Sequence, residues 1–328
     1  MKRFLCKLLL FLSLQGGALA GILWIYLQKY SLQKTYHAAT IDKHALLQSQ
    51  ARPRMIFVGG SSLAFGLDTS AVAESCGYHP VNMGLSIALG LDFMLREVEP
   101  DVRRGDIVVV TPEYQLFTER IKGTPEGLWR VIEPRPANLR YLEPREVAEM
   151  LDQGLVHRAG DAIRLVLARP SQLFDFRGIA PEEVYQRKSF GPSGDMVAHL
   201  GLPSSPARPE AFNFPFASNS WRKAIGRLNE FQTACLRKGA RAYFSHSPLH
   251  EVSFQRRRSA LAALEAELRL NLKLRILDTP EEMSFPGDQI FDNYTHLNTA
   301  GIARRSRLVA ARLKQALEGS SEPTLGRE

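Results

Sequence analysis

The sequence predicts an α/β fold built on a parallel, doubly wound sheet. Two observations carry this. Short apolar runs stop at glycine or a polar residue, and amphipathic helical segments separate them, so that strand and helix alternate five times. Arg54-Met55-Ile56-Phe57-Val58, ending at Gly59-Gly60, reads as a central strand buried on both faces. Asp68 is a plausible N-cap for a short helix over Thr69–Cys76, which ends at Gly77. His79 to Gly84 form a second short strand, and Leu91 to Glu99 form a helix with Leu91, Met94, Leu95 and Val98 on one face. Ile107-Val108-Val109-Val110-Thr111 is the clearest buried strand in the chain.

Between about 119 and 218 this rhythm is lost. The segment is rich in proline, has helical character over Arg145–Leu167, and contains Gly201-Leu202-Pro203-Ser204-Ser205-Pro206. It reads as a long insertion capping the sheet edge, and long loops in compact domains tend to be lids or binding elements. The alternation resumes with a helix over Ser220–Arg237, a strand over Ala240–Ser245, a helix over Arg256–Leu270 and a last strand over Leu274–Asp278. Asn298 is placed to cap a final helix, Thr299–Leu317, and the tail from 319 to 328 is expected to be disordered.

The N-terminus has a different composition. Leu8 to Leu27 is a run of twenty residues without a charge, preceded by Lys2, Arg3 and Lys7, and its length matches the hydrocarbon thickness of a bilayer. The leading cations favour a cytoplasmic N-terminus. Ala18-Leu19-Ala20 also resembles a signal-peptide cleavage site. However, the apolar run continues through Gly21 to Tyr26, and Trp24 and Tyr26 suit a membrane interface, which favours an uncleaved anchor. The expected organisation is an anchor over 1–28, a polar stalk over 29–52 and a domain over 53–318 outside the cytoplasmic (inner) membrane. The net charge of +8 is scattered rather than gathered with aromatics, so nucleic acid is not an expected partner.

Two segments near opposite ends of the domain carry the chemistry. Gly60-Ser61-Ser62 follows the first strand, and Asp292…His296-Leu297-Asn298 precedes the last helix. In an open parallel sheet, ligands bind beyond the carboxyl ends of the strands, where both segments should emerge. An acyl-transfer site needs a hydroxyl nucleophile, an imidazole to take its proton, an acid to orient the imidazole, and donors for the oxyanion. Ser61, His296, Asp292 and the pair Gly84/Asn82 can fill those roles, with Ser62 beside them. Each element alone is a common turn or loop feature, and their joint placement is the signal. Glu113, at the end of the third strand, is a candidate sugar-hydroxyl ligand or a turn cap. His246 and His250 follow the fourth strand without the further ligands a metal site needs. Neither a metal nor another cofactor is expected.

Gly59-Gly60-Ser61, Asn82-Met83-Gly84 and Asp292…His296-Leu297-Asn298, in this order, resemble the sequence blocks of the SGNH/GDSL hydrolases. Within them, the chain is most similar to membrane-anchored bacterial proteins associated with cell-surface polysaccharide acylation. The resemblance spans 54–117 and 219–317. It implies a flavodoxin-like three-layer α/β/α sandwich, with Ser61 as nucleophile, Gly84 as oxyanion donor and Asp292/His296 as base. It also implies an acyl-ester or surface-glycan substrate, and a multi-span acyltransferase is a possible partner. Three positions depart from the family pattern. Gly60 stands where the family has aspartate, Pro112-Glu113-Tyr114 replaces a block with an asparagine donor, and Asn293 occupies the usual place of the acid. These departures motivate a competing reading, a non-catalytic binding or scaffolding subunit. With strand order 2-1-3-4-5 and right-handed crossovers, Cys76 and Cys235 should lie on opposite sheet faces, too far apart to bridge.

Overall fold

Six residues, Arg54–Gly59 (β1), form the strand around which the domain is organised, and all six are buried. β1 pairs in parallel with His79–Asn82 (β2) on one side and Ile107–Thr111 (β3) on the other, with Gly59 opposite Thr111. Arg241–Phe244 (β4) adds to β3, and Arg275–Ile276 (β6) adds to β4, which gives a five-stranded parallel sheet of order β2-β1-β3-β4-β6. A separate parallel pair joins Leu249–His250 (β5) to Ser284–Phe285 (β7). The computed structural model describes residues 2–33, 35–118, 121–153, 184–205 and 218–318.

The period of two along the strands divides the core. Met55, Phe57, Ile107, Val109 and Tyr243 pack with Val72 of helix Thr69–Ser75 (α4) and with Val309 and Leu313 of helix Thr299–Glu318 (α9). Ile56, Val58, Val108, Val110 and Phe244 belong to a second cluster. Its helices are Gly90–Val98 (α5), Ser218–Arg237 (α7) and Glu251–Asn271 (α8), represented by Leu95, Phe231 and Leu264. Cys76 packs against the first cluster and Cys235 lies within the second, both as free thiols. Burial pushes the Cys235 thiol up to about 12.

The N-terminal helix, Lys2–Gln33 (α1), contains one stretch, Arg3–Gly21, that is long and apolar enough to cross a membrane, and the domain buries none of it. The segment expected as a stalk differs from that expectation. Tyr36, Ala38, Ala39, Thr40, Lys43, His44 and Leu47 are buried, the last four on helix Thr40–Ser49 (α2). Their polarity suggested solvent, but Thr40, Lys43 and His44 each meet a polar group of the fold. Asn138 Nδ2 donates to Thr40 Oγ1 (3.1 Å), and His44 Nε2 lies 3.2 Å from a Glu97 carboxylate oxygen. Arg54 ties the end of α2 to the sheet through Leu47 O and a buried ion pair with Asp106. The part of the expected stalk between Tyr36 and Leu47 therefore packs into the fold.

The described parts of the 119–218 segment pack onto the domain. Helix Pro125–Ile132 (α6), capped by Thr124, contributes Leu128 and Val131 to the second core, and Met196 joins them. Ser193 O accepts from Asn82 N (2.8 Å), so the 191–195 turn lies against the end of edge strand β2. The helix expected over Arg145–Leu167 is observed over 145–153, and its remainder, like the tail from 319, lies outside the described residues.

Candidate active site

The turn after β1 is shaped by a carboxylate from the neighbouring strand. Glu113 follows β3, is only 3% exposed, and accepts from Gly60 N (3.2 Å), Ser62 N (3.1 Å) and Ser62 Oγ (2.9 Å). Ser247 Oγ donates in turn to Ser62 Oγ (2.9 Å). The result is helix Ser61–Ala64 (α3), which starts directly at the strand end. Gly60 is glycine for reasons of space, since its φ of −94° is open to any residue. A Cβ there would lie 2.3 Å from Glu113 Oε1, so Glu113 occupies the volume a side chain at 60 would need. A side chain at 60 and this carboxylate thus compete for one volume. Burial raises the Glu113 pKa, and the hydrogen bonds from Ser62 and Gly60 oppose that shift.

Ser61 itself is half-buried, and its hydroxyl makes no hydrogen bond to a described residue. The N–H groups on either side of it, of Gly60 and Ser62, both donate to Glu113.

The second segment folds back on itself. Ile290 and Leu297 form an antiparallel bridge, and Phe291 N donates to His296 O (2.8 Å). Inside this loop Asn293 Oδ1 accepts from Thr295 N (2.8 Å), Thr295 Oγ1 (3.0 Å) and His296 N (3.1 Å). Its Nδ2 is thereby turned to the imidazole, 3.1 Å from both ring nitrogens. Asn293 braces the loop. The acid instead is Asp292, whose Oδ1 lies 2.7 Å from His296 Nδ1. Tyr185 Oη donates to the other carboxylate oxygen, Oδ2. Burial alone would raise the Asp292 pKa, but hydrogen bonds from His296 and Tyr185 outweigh it and hold it below the usual carboxylate range.

Phe65 links the two segments. Its N–H donates to Ser61 O (2.9 Å), and its ring lies flat against His296, with centroids 4.2 Å apart and planes 5° apart. Tyr36, Tyr185, His199 and Phe291 surround the same ring at 5.0 to 6.5 Å.

The third segment is internally satisfied. Asn82 Oδ1 accepts from Gly84 N (2.7 Å), and Asn82 Nδ2 donates to Asp195 Oδ1 (2.6 Å). Both groups expected as oxyanion donors are committed to protein partners. Asp195 also accepts from Thr69 N, Thr69 Oγ1 and Ser193 Oγ. Lys43, 2% exposed, donates to Asn82 O (3.0 Å) and Gly194 O (2.6 Å) and sits over the Phe190 ring. Burial lowers its pKa to about 7, although Asp195 pulls in the opposite direction. Gly194, at φ +88°, allows this approach, since a Cβ would meet Asn82 O at 2.4 Å.

Sequence reasoning missed Phe65, Tyr185, Asp195, Lys43 and Arg305. Phe65 had a usable signal, one helical turn after Ser61. Tyr185 and Asp195 had none, because they lie in the irregular insertion.

His246 and His250, considered for the same cleft, have other roles. His250 Nδ1 caps α8 by accepting from Val252 N (3.0 Å). His246 is buried between Asp278 Oδ1 (3.1 Å from Nδ1) and Glu265 Oε2 (2.7 Å from Nε2), the latter an ion-pair contact without hydrogen-bond alignment. Burial lowers its pKa, but the two carboxylates more than offset that and raise it to about 9. A base whose pKa is raised by folding stabilises the protein fully below its unfolded value of about 6.5 and loses that contribution as pH rises through about 9. The slope of the urea midpoint against pH over this window is therefore expected to be more negative in the wild type than in His246→Gln. Equal slopes in both proteins would contradict the assignment.

Neither a protein-family model nor a curated protein matches the chain.

Proposed function

We propose that the protein is a membrane-anchored, extracytoplasmic serine esterase or O-acyltransferase. It acts on acetyl-type groups of a cell-surface polysaccharide through an acyl-Ser61 intermediate. Its domain is an SGNH-like, flavodoxin-like three-layer sandwich carrying residues 119–218 as an insertion, anchored in the inner membrane by α1. The observation that carries this reading is the Asp292–His296 hydrogen bond, joined through Phe65 to the turn that presents Ser61.

In this reading, Asp292 stays ionised and accepts Nδ1–H, so Nε2 is the lone-pair nitrogen of His296. Nε2 takes the Ser61 proton as Oγ bonds to the ester carbonyl carbon. Asn293 Nδ2, now beside Nε2, yields that place to the hydroxyl when substrate binds, in keeping with the loose catalytic contacts of unliganded sites. The Ser61 N–H supplies an oxyanion donor. On collapse, the ester C–O bond breaks and the departing alkoxide takes the proton from Nε2. Water or an acceptor hydroxyl then attacks the acyl-serine by the reverse path, giving hydrolysis or transfer.

Ser61→Ala and His296→Ala are each expected to lose about a thousandfold in p-nitrophenyl acetate turnover, and Ser61→Ala to lose fluorophosphonate labelling. A wild type inert to both probes would sink the enzyme reading.

A second reading, a non-catalytic glycan-binding or scaffolding subunit, is favoured by one observation. Gly84 N and Asn82 Nδ2, the expected oxyanion donors, are already paired within the protein. Glycan binding retained in Ser61→Ala, with normal cellular function, would support it.

A further inference from the structure

The burial of residues between Tyr36 and Leu47 in the domain bears on the substrate. The apolar stretch of α1 ends at Gly21 and the helix continues to Gln33, a rise of about 18 Å at 1.5 Å per residue. Three residues later, Tyr36 is already buried in the domain, and three residues reach about 10 Å at most. Tyr36 is also part of the site wall. Its hydroxyl donates to Leu85 O (2.6 Å), and its ring lies 6.1 Å from Phe65, which stacks on His296 at 4.2 Å. With α1 in a bilayer, the chain itself keeps the Asp292–His296 pair within about 40 Å of the hydrocarbon edge, and closer if the span extends to Leu27.

A second observation lies on the same rim. Val197, Leu200 and Leu202 are 41–44% exposed, on the segment whose His199 is wedged between Phe65 (5.0 Å) and Phe291 (5.1 Å). His199 Nε2 sits 3.1 Å from Leu297 O, one residue from His296. Three apolar side chains are thus turned outward beside the site, where a bilayer surface would meet them.

We propose that the substrate of this site is membrane-borne: an ester on a saccharide carried by a lipid anchor in the same bilayer, rather than a free polymer. This rests on the serine-hydrolase reading above. A site held this close to the bilayer meets a lipid-anchored ester at the high effective concentration of a tethered pair, and gains nothing toward a soluble one.

The test inserts four Glu-Ala-Ala-Ala-Lys repeats after Gln33, which lifts the domain by about 30 Å where the repeats are helical. Full-length wild type and the insertion variant are placed in phosphatidylcholine–phosphatidylglycerol vesicles. Each is assayed on soluble 4-methylumbelliferyl acetate and on an acetylated umbelliferone coupled to a phosphatidylethanolamine headgroup. The expected result is unchanged turnover of the soluble ester, which also shows that the variant is folded, and a loss of about tenfold or more on the lipid-borne ester. Equal turnover of the lipid-borne ester by both proteins overturns the proposal, as does membrane-extracted protein lacking residues 1–20. A wild type that hydrolyses neither ester removes the serine-hydrolase reading and this inference with it, a result distinct from the other two.

Discussion

Glu113→Ala is expected to lower kcat/KM on p-nitrophenyl acetate by about a hundredfold, the scale of a reacting group displaced by about 1 Å. Its carboxylate is the common acceptor for Gly60 N, Ser62 N and Ser62 Oγ, all in the turn that presents Ser61. Removal leaves these buried donors without their acceptor, at about 1–3 kcal/mol for each one that finds no substitute. Glu113→Gln should lie between wild type and alanine, since its amide has one acceptor oxygen and presents donors where donors already point. Gly60→Ala should reproduce much of the loss, because its Cβ would meet the same carboxylate at 2.3 Å. The two sites act on one contact, so Gly60→Ala should cost far less in the Glu113→Ala background than alone. Burial raises the Glu113 pKa, so its protonation should contribute to the acid limb of the wild-type rate profile above the ordinary carboxylate range, a contribution that Glu113→Gln removes. Full turnover by Glu113→Ala would show that the turn does not depend on this clamp.

The sheet was legible because its central strands are buried on both faces and therefore read as unbroken apolar runs, as in Ile107–Thr111. The two-residue strands Leu249–His250 and Ser284–Phe285 carry no periodicity to detect, and only the fold pairs them. Helix α2 was misplaced for a different reason. Thr40, Lys43 and His44 read as solvent-facing, yet all are buried against partners distant in sequence, Asn138, Gly194 and Glu97. Composition reports the transfer cost of a polar group and is blind to the partner that offsets it.

The candidate site was legible in its blocks and not in its wiring. Ser61, Asp292 and His296 stand out by type and position, but the sequence pattern made Asn293 look like a lost acid. In the fold, Asn293 holds the loop so that Asp292, one residue earlier, reaches the imidazole. Gly60 and Glu113 likewise read as two unrelated positions, and in the fold Glu113 fills the space that a side chain at 60 would need. Such coupling crosses from β1 to β3 and leaves no trace in local spacing.

Behind the same turn, Arg305→Met is expected to produce the largest loss of stability. Arg305 is 1% exposed on α9, and among the described residues it has no carboxylate within ion-pair distance. Its guanidinium donates to four acceptors: Ser62 O (3.1 Å), Gly66 O (3.3 Å), Thr111 Oγ1 (2.9 Å) and His246 O (3.3 Å). These lie at the two ends of the α3 turn, at the end of β3 and after β4, so one side chain joins three elements that meet at the candidate site. Burial lowers its pKa to about 10, with Asp278 and Glu113 pulling it back up. Methionine fills a similar volume but strands the acceptors, a loss of about 2–6 kcal/mol where two of them find no substitute donor. For a domain of this size that corresponds to a fall in Tm of about 4–24 °C. Arg305→Lys is the informative companion: it keeps a charge but has no planar fork to span Ser62 and Thr111 together. Its Tm should fall less than that of the methionine variant, while kcat/KM on p-nitrophenyl acetate still drops, because the nucleophile turn has lost one of its two anchors. A lysine variant with wild-type Tm and turnover would show that the charge, and not the fork, is what this position requires.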